Sequence, residues 1–393
     1  METFLIDATL TINDEIDIDF INSINKNDNY FINIIDKNNK IINIKNSKCM
    51  DNIVNVFPNI KLSCKFKEFN EINEKFINNY KHNWHSLDLS NTNIDDLSFL
   101  GNLHNLSSIN LSYCNLITDV SALGNLRYLS DINLSYCINI TDITALGNIH
   151  YLSSVNLSYC INITDITALG NLHYLSDINL CNCLNITNVS ALGNYHHLSS
   201  IKLSCTNITD VSALGNIHHL SSINLSNCEN ITDVSALGNI HHLSEVNLSY
   251  CENITDVSAL GNVHTLNLSF CNNITDVSAL GNVHTLNLFC CKNITDVSAL
   301  GNVHNLSLNG CINITDVSAL GNVYDLWLCN NNITDVSALG NVHTLILRDL
   351  VNTIDASPLA NVHTLNLSFC RKITNQSALS NVYKFSSYCC NYF

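Results

Sequence analysis

From about residue 84 to residue 385 the chain repeats one pattern of apolar and polar positions. It reads L-S-S-I-N-L-S-x-C-x-N-I-T-D-V-S-A-L-G-N-I-H-H, seen cleanly from Leu220 to His242. Self-similarity at a fixed short period is the signature of a stacked solenoid. The glycine of the L-G-N segment falls at 101, 124, 147, 170, 193, 215, 238 and 261, in steps of 23 with one of 22. It recurs at 281, 301, 321 and 340, in steps of 20 and a last one of 19, and Ala360 and Ser380 continue the phase. Fourteen copies run from Leu89 to Leu367, each marked by the second apolar residue of its strand.

Within a copy the pattern changes character twice. Ile132-Asn133-Leu134 alternates as a short strand does, which sends Ile132 and Leu134 inward and Asn133 to solvent. Cys137 is the next inward position, with equivalents from Cys114 to Cys370, and suits a small buried hydrophobe with a weak hydrogen-bonding group. Ile140 follows it inward, Thr141 or Asp142 can cap a short helical turn, Ile143 and Leu146 pack that turn, and Gly147 suits a left-handed exit. The chain is thus an α/β solenoid, one strand and one short helical segment per coil, stable only through stacking of neighbours. The step from 23 to 20 residues predicts a more economical return to the strand in later coils, with changed local curvature.

The segment L-x-x-I-x-L-x-x-C-x-x-I-T-D resembles the cysteine-containing leucine-rich repeats that follow F-boxes in ubiquitin-ligase adaptors. The half I-T-D-V-S-A-L-G-N-L is similar to the internalin type, which carries a short 3-10 turn there. The even repetition and the Asn/Ile-rich composition also resemble leucine-rich-repeat proteins of giant viruses and of protists with AT-rich genomes. The resemblance implies a horseshoe with a concave parallel β-sheet and helical or 3-10 segments on the convex face. It also implies recognition of a protein partner, because this fold serves many kinds of binding.

Residues 1–83 carry no repeat and are expected to form a capping or linker domain, ahead of a solenoid over 84–385 and a tail over 386–393. Ile6 to Ile12 alternates like a strand, and Phe69 to Ile77 has helical spacing. An F-box would open with Leu-Pro and acidic residues; no Leu-Pro occurs, and Pro58 comes too late. Cys390-Asn391-Tyr392-Phe393 has the length of a prenylation box, but Asn391 is not aliphatic and no polybasic run precedes it.

Composition narrows the partners. Seventeen Lys and Arg against 33 Asp and Glu give a formal charge of −16, which argues against nucleic acid and anionic membranes. The first residues lack a basic, apolar export signal, and no stretch reaches the roughly 20 apolar residues of a membrane span. Eighteen cysteines without such a signal read as reduced thiols in an intracellular, cytoplasmic protein. The thiols form a line, one per coil, rather than a tetrahedral cluster, so no metal or cofactor is expected. No nucleophile–base set or phosphate-binding loop appears, and periodic serines, aspartates and histidines make no asymmetric active site.

Individual signals are therefore departures from the repeat. The central concave column is Asn at 110, 133, 156, 179, 224, 247, 267, 287 and 366, broken by Lys202, Ser307, Trp327 and Ile346. The flanking Ser column is broken by Cys181, Phe289, Asn309, Cys329 and Arg348. Trp and Arg are enriched in binding hot spots, so Trp327, Ile346 and Arg348, with Asp325, Asp349, Phe289 and Lys202, are the candidate partner-binding residues. A row of His264, His284, His304, Tyr324, His343 and His363 reads as a solvated loop copied by duplication, and the column Tyr113, Tyr136, Tyr159, Tyr250, Phe270 and Phe369 as packing at the strand edge. The expected function is a scaffold that holds a protein partner. The alternative is the substrate-recognition subunit of a ubiquitin ligase, with residues 1–83 docking ligase-core subunits.

Overall fold

The computed structural model describes residues 8–12, 32–36, 41–44, 62–66, 69, 71–329, 332–370 and 372–387. The segment Cys390 to Phe393 lies outside the described residues. The chain divides into two compact units, 1–186 and 187–393.

The first unit begins with strands β1 (Ala8–Ile12), β2 (Ile32–Asp36), β3 (Ile41–Ile44) and β4 (Leu62–Phe66), followed by helix α1 (Glu71–Asn79). β1 lies between β2, which it pairs in parallel, and β4, which it pairs antiparallel, and β2 pairs antiparallel with β3. β4 then joins β5 (Trp84–Asp88) in parallel, and β5 leads the coil strands β6 (Ser108–Asn110), β7 (Asp131–Asn133), β8 (Ser154–Asn156) and β9 (Asp177–Asn179). Leu62, Cys64 and Phe66 on β4 are buried. The indole N–H of the fully buried Trp84 donates to the Ile77 carbonyl at 2.8 Å and ties α1 to the strand ladder.

The second unit carries coil strands β10 (Ser200–Lys202), β11 (Ser222–Asn224), β12 (Glu245–Asn247), β13 (Thr265–Asn267), β14 (Thr285–Asn287), β15 (Asn305–Ser307), β16 (Asp325–Trp327) and β17 (Thr344–Ile346). After β17 come β18 (Thr353–Asp355), β19 (Thr364–Asn366), β20 (Lys372–Thr374) and β21 (Lys384–Ser386). From β10 to β17, then β19 and β21, the strands pair in parallel and in register, while β18 and β20 form a separate small pair. In both units each coil's helical element is a 3-10 turn such as Thr144–Asn148 or Ser298–Asn302.

The inward positions behave as their hydrophobic period requires. Ile132, Leu134, Cys137, Ile140, Ile143, Leu146, Ile149 and Leu152 are all at most 1% exposed. A 20-residue coil keeps seven of these, Leu286, Leu288, Cys291, Ile294, Val297, Leu300 and Val303, and lacks the counterpart of Leu152. In the long coils an extra turn closes through the Leu152 N–H on Ile149 O. In the short ones His304 passes directly into the ladder by donating to His284 O. The shorter return that the period change predicts is thus the loss of one apolar turn.

The cysteines stitch coils together. Cys137 Sγ donates to Leu111 O at 3.1 Å, and Cys291 Sγ to Leu268 O at 3.0 Å, each reaching the preceding coil. Burial pushes both thiols up to about 12, so at neutral pH they stay protonated donors. Where threonine replaces the cysteine, Thr206 Oγ1 donates to Leu203 O at 2.7 Å and again satisfies a buried carbonyl.

The structure resolves one alternative and corrects one expectation about the turn. Its first N–H is capped by the aspartate and not by the threonine: Asp142 Oδ1 accepts from Thr144 N at 2.8 Å, and Asp276 Oδ1 from Ser278 N at 2.8 Å. Gly147 makes no left-handed exit, for among the described residues Gly310 is the only glycine with positive φ. The glycine is required by crowding. A Cβ on Gly147 would stand 2.7 Å from Ala168 O of the next coil.

The capping aspartates make stability acid-sensitive in a defined direction. The backbone N–H and then the hydroxyl of the serine two residues on hold Asp276, Asp296 and Asp316 below 3.8. A depressed folded-state pKa contributes stability that is present above the unfolded value and lost as pH falls through the folded one. The thermal midpoint is therefore expected to drop between about pH 5 and pH 3. Asparagine at all three positions should flatten that drop, since Asn188 already makes the same bond to Ser190 N at 2.8 Å. Circular-dichroism melts of both proteins across this range check it; an identical slope would assign the effect to other carboxylates.

Candidate binding surface

On the open face of the strands, the asparagine column has a backbone partner. Asn133 Oδ1 accepts from Ser135 N at 3.0 Å, and Asn267 Oδ1 from Ser269 N at 3.1 Å. This two-residue side-chain turn leads into a residue with positive φ: Tyr113, Tyr136 and Tyr159 in the first unit, and Tyr250, Phe270 and Phe369 in the second. A left-handed aromatic residue is costly and persists here because the turn and the ladder fix it from both sides. Tyr136 N, for example, donates to Ser158 O at 2.8 Å. The aromatic column does sit at the strand edge, with rings stacked 4.2 Å apart for Tyr113–Tyr136 and 4.1 Å for Tyr136–Tyr159.

Against this uniform face the departures stand out. Trp327 and Ile346 are direct partners in the parallel register of β16 and β17, and both are half-buried. Trp327 cannot accept the hydrogen bond an asparagine would, and Asn309 of the preceding coil substitutes, its Oδ1 accepting from Cys329 N at 2.9 Å. Asp325 starts β16 on the same face as Trp327, and Asp349 follows Arg348 in the left-handed region with φ 55°.

Arg348 stacks its guanidinium over Phe369, 5.3 Å from the ring centroid. Its Nε is buried and has no hydrogen-bond partner. Among the described residues the one ion pair is Lys65–Asp88, so neither Asp325 nor Asp349 neutralises Arg348.

The structure thus brings five of the seven candidates together. Phe289 belongs to the coil of β14, two strands from β16, and packs edge-on against Phe270 at 5.1 Å. Lys202 is exposed on β10, six strand spacings from Trp327, roughly 29 Å at about 4.8 Å each.

The histidine row has an order its sequence did not show. His264, His284 and His304 stack at 4.5 and 4.6 Å, Tyr324 continues at 4.7 Å, and His343 and His363 follow at 4.4 and 4.5 Å. Each Nδ1 meets the side chain of the next residue, Thr265 for His264 and Asn305 for His304. Desolvation in the stack, then the charges of His264 and His304, hold His284 below 6.5. Identical ring types recurring every 20 residues were the available signal; coil spacing turns recurrence into stacking. Among the described residues no group of three or more His, Cys, Asp or Glu is arranged to hold a metal, and no helix is long and apolar enough to cross a membrane.

Comparison with known proteins agrees with this architecture. Residues 85–125 match a model of leucine-rich repeats, and residues 129–255 and 200–293 match one of the BspA-type leucine-rich-repeat region. An internalin, InlF of Listeria monocytogenes, is 25% identical with a TM-score of 0.59, covering 79% of this chain and 88% of its own. A leucine-rich-repeat protein of Leptospira interrogans is 18% identical with a TM-score of 0.60, covering 82% and 93%. The mouse RP105/MD-1 complex contributes a chain 18% identical with a TM-score of 0.53, covering 77% of this chain and 54% of that one. No curated protein matches by sequence.

Proposed function

Starting from a chain built of leucine-rich repeats, we propose that it is a non-enzymatic scaffold whose open strand face binds a protein partner around Trp327, Ile346 and Arg348, with the residues before 84 capping the first coil. Leucine-rich-repeat proteins generally mediate protein–protein interaction. The observation that carries the reading is local: two large apolar side chains in register replace short polar ones beside a cation that no carboxylate of the described residues pairs. A few apolar anchors within a polar surround have the composition of an interface centre. Asp325 and Asp349 rim this centre, and Phe289 extends it along the face. Lys202, far along β10, belongs to a separate surface.

The test is affinity capture from source-cell lysate, read by mass spectrometry, with the full chain and a Trp327→Ala/Arg348→Ala form. A partner held by the full chain and by Lys202→Ala but reduced at least about tenfold by the double change is expected, since hot-spot truncations cost 2 kcal/mol or more. Capture that ignores the double change would remove the surface from consideration. Ligase-core subunits in the captured set would instead favour the adaptor role, with residues 1–83 as the docking segment.

A further inference from the structure

Arg348 is placed to recognise something specific, and this inference rests on the binding surface just proposed. Its guanidinium is desolvated on one face by the Phe369 ring. Its Nε is buried without an acceptor, and no carboxylate of the described residues pairs with it. A buried donor left unsatisfied in the free protein favours a partner that supplies the missing oxygen. Planar bidentate geometry makes a carboxylate the best match for a guanidinium. Beside it, Trp327 and Ile346 form an apolar step on the neighbouring strands. Asp325 and Asp349 flank the step and repel a second negative charge, which excludes a polyacidic run.

We infer that Arg348, Trp327 and Ile346 form a subsite for one acidic side chain of a partner protein segment with an aliphatic residue next to it. The carboxylate closes bidentately on the guanidinium edge that includes Nε as the side chain shifts, so that Nε gains its acceptor. The aliphatic group covers Trp327 and Ile346. Like other charge-assisted contacts at a partly open surface, this one weakens as salt is raised.

The two tryptophans make the test direct. The chain has only Trp84 and Trp327; Trp84 is fully buried with its N–H already bonded, so it serves as an internal control. The full chain, labelled at its indole nitrogens, is titrated with acetyl-Leu-Glu-amide and separately with acetyl-Leu-Gln-amide. Ligands this small are expected to bind in the millimolar range. The Trp327 indole resonance should shift with the glutamate peptide at about tenfold lower concentration than with the glutamine peptide, while Trp84 stays still. Arg348→Gln should abolish that preference and keep the weak, equal response to both. Equal responses in the unaltered chain would overturn the carboxylate assignment while leaving the apolar surface standing. Silence of Trp327 toward both peptides would overturn the subsite together with the surface it rests on, and so would a glutamate preference that survives Arg348→Gln.

Discussion

Leu306→Ala is expected to destabilise the second unit by about 2–5 kcal/mol, the cost of emptying a fully buried leucine site that cannot collapse. Leu306 is 0% exposed and sits between Leu286 and Leu326 in the parallel register of β14, β15 and β16. The alternation of the strand sets the control. Ser307, one residue on, faces outward and half-buried on the open side, and Ser307→Ala should stay within about 0.5 kcal/mol. Because a coil of a solenoid leans mainly on its neighbours, the loss should also be local. Hydrogen exchange is expected to quicken first in β14, β15 and β16, with β6 and β7 unaffected, and urea denaturation gives the size of the effect. Comparable costs at Leu306 and Ser307 would contradict the inward assignment.

Gly301→Ala is expected to cost about 1–3 kcal/mol by overpacking, although alanine is ordinarily the better residue in a helical turn. The added Cβ would run into the backbone oxygen of Ala319 and stand 3.5 Å from its carbonyl carbon. Backbone of a packed turn cannot rotate away as a flexible side chain would. Asparagine distinguishes the two reasons for a glycine. At a left-handed position asparagine is tolerated better than alanine, whereas at a close approach the Cβ clash is the same in both. Gly301→Asn is therefore expected to be no more stable than Gly301→Ala in urea denaturation, and a clear recovery with asparagine would reinstate the left-handed reading. Ala360 takes the glycine's place one coil before the end of the described repeats. The turn that follows it, Gln376–Asn381, is six residues long and entered through a left-handed Asn375.

Much of this molecule was legible in its sequence because it is periodic and local. Apolar side chains at a spacing of two mark a strand, and their recurrence every 20 or 23 residues marks stacked coils. The inward set from Ile132 to Leu146, the buried cysteines and the shorter later return all follow from hydrophobicity counted along one chain. Trp327 and Ile346 were visible for the same reason, as breaks in a column whose phase the repeat had already established. The tertiary structure alone decided what happens across coils, in a direction nearly perpendicular to the chain. Whether Gly147 serves a turn or a contact depends on where Ala168 O lies. Whether Asn133 is free for a partner depends on the turn it closes with Ser135. Tyr136 adopts positive φ because the asparagine turn of its own coil and the ladder bond to the next coil hold it there, against its own preference. Among the described residues no carboxylate pairs with Arg348, which has Phe369 beneath it and Asp349 beside it, for a similar reason. A pattern along one coil specifies which side chains turn inward, but the few ångströms between one coil and the next determine which atoms meet.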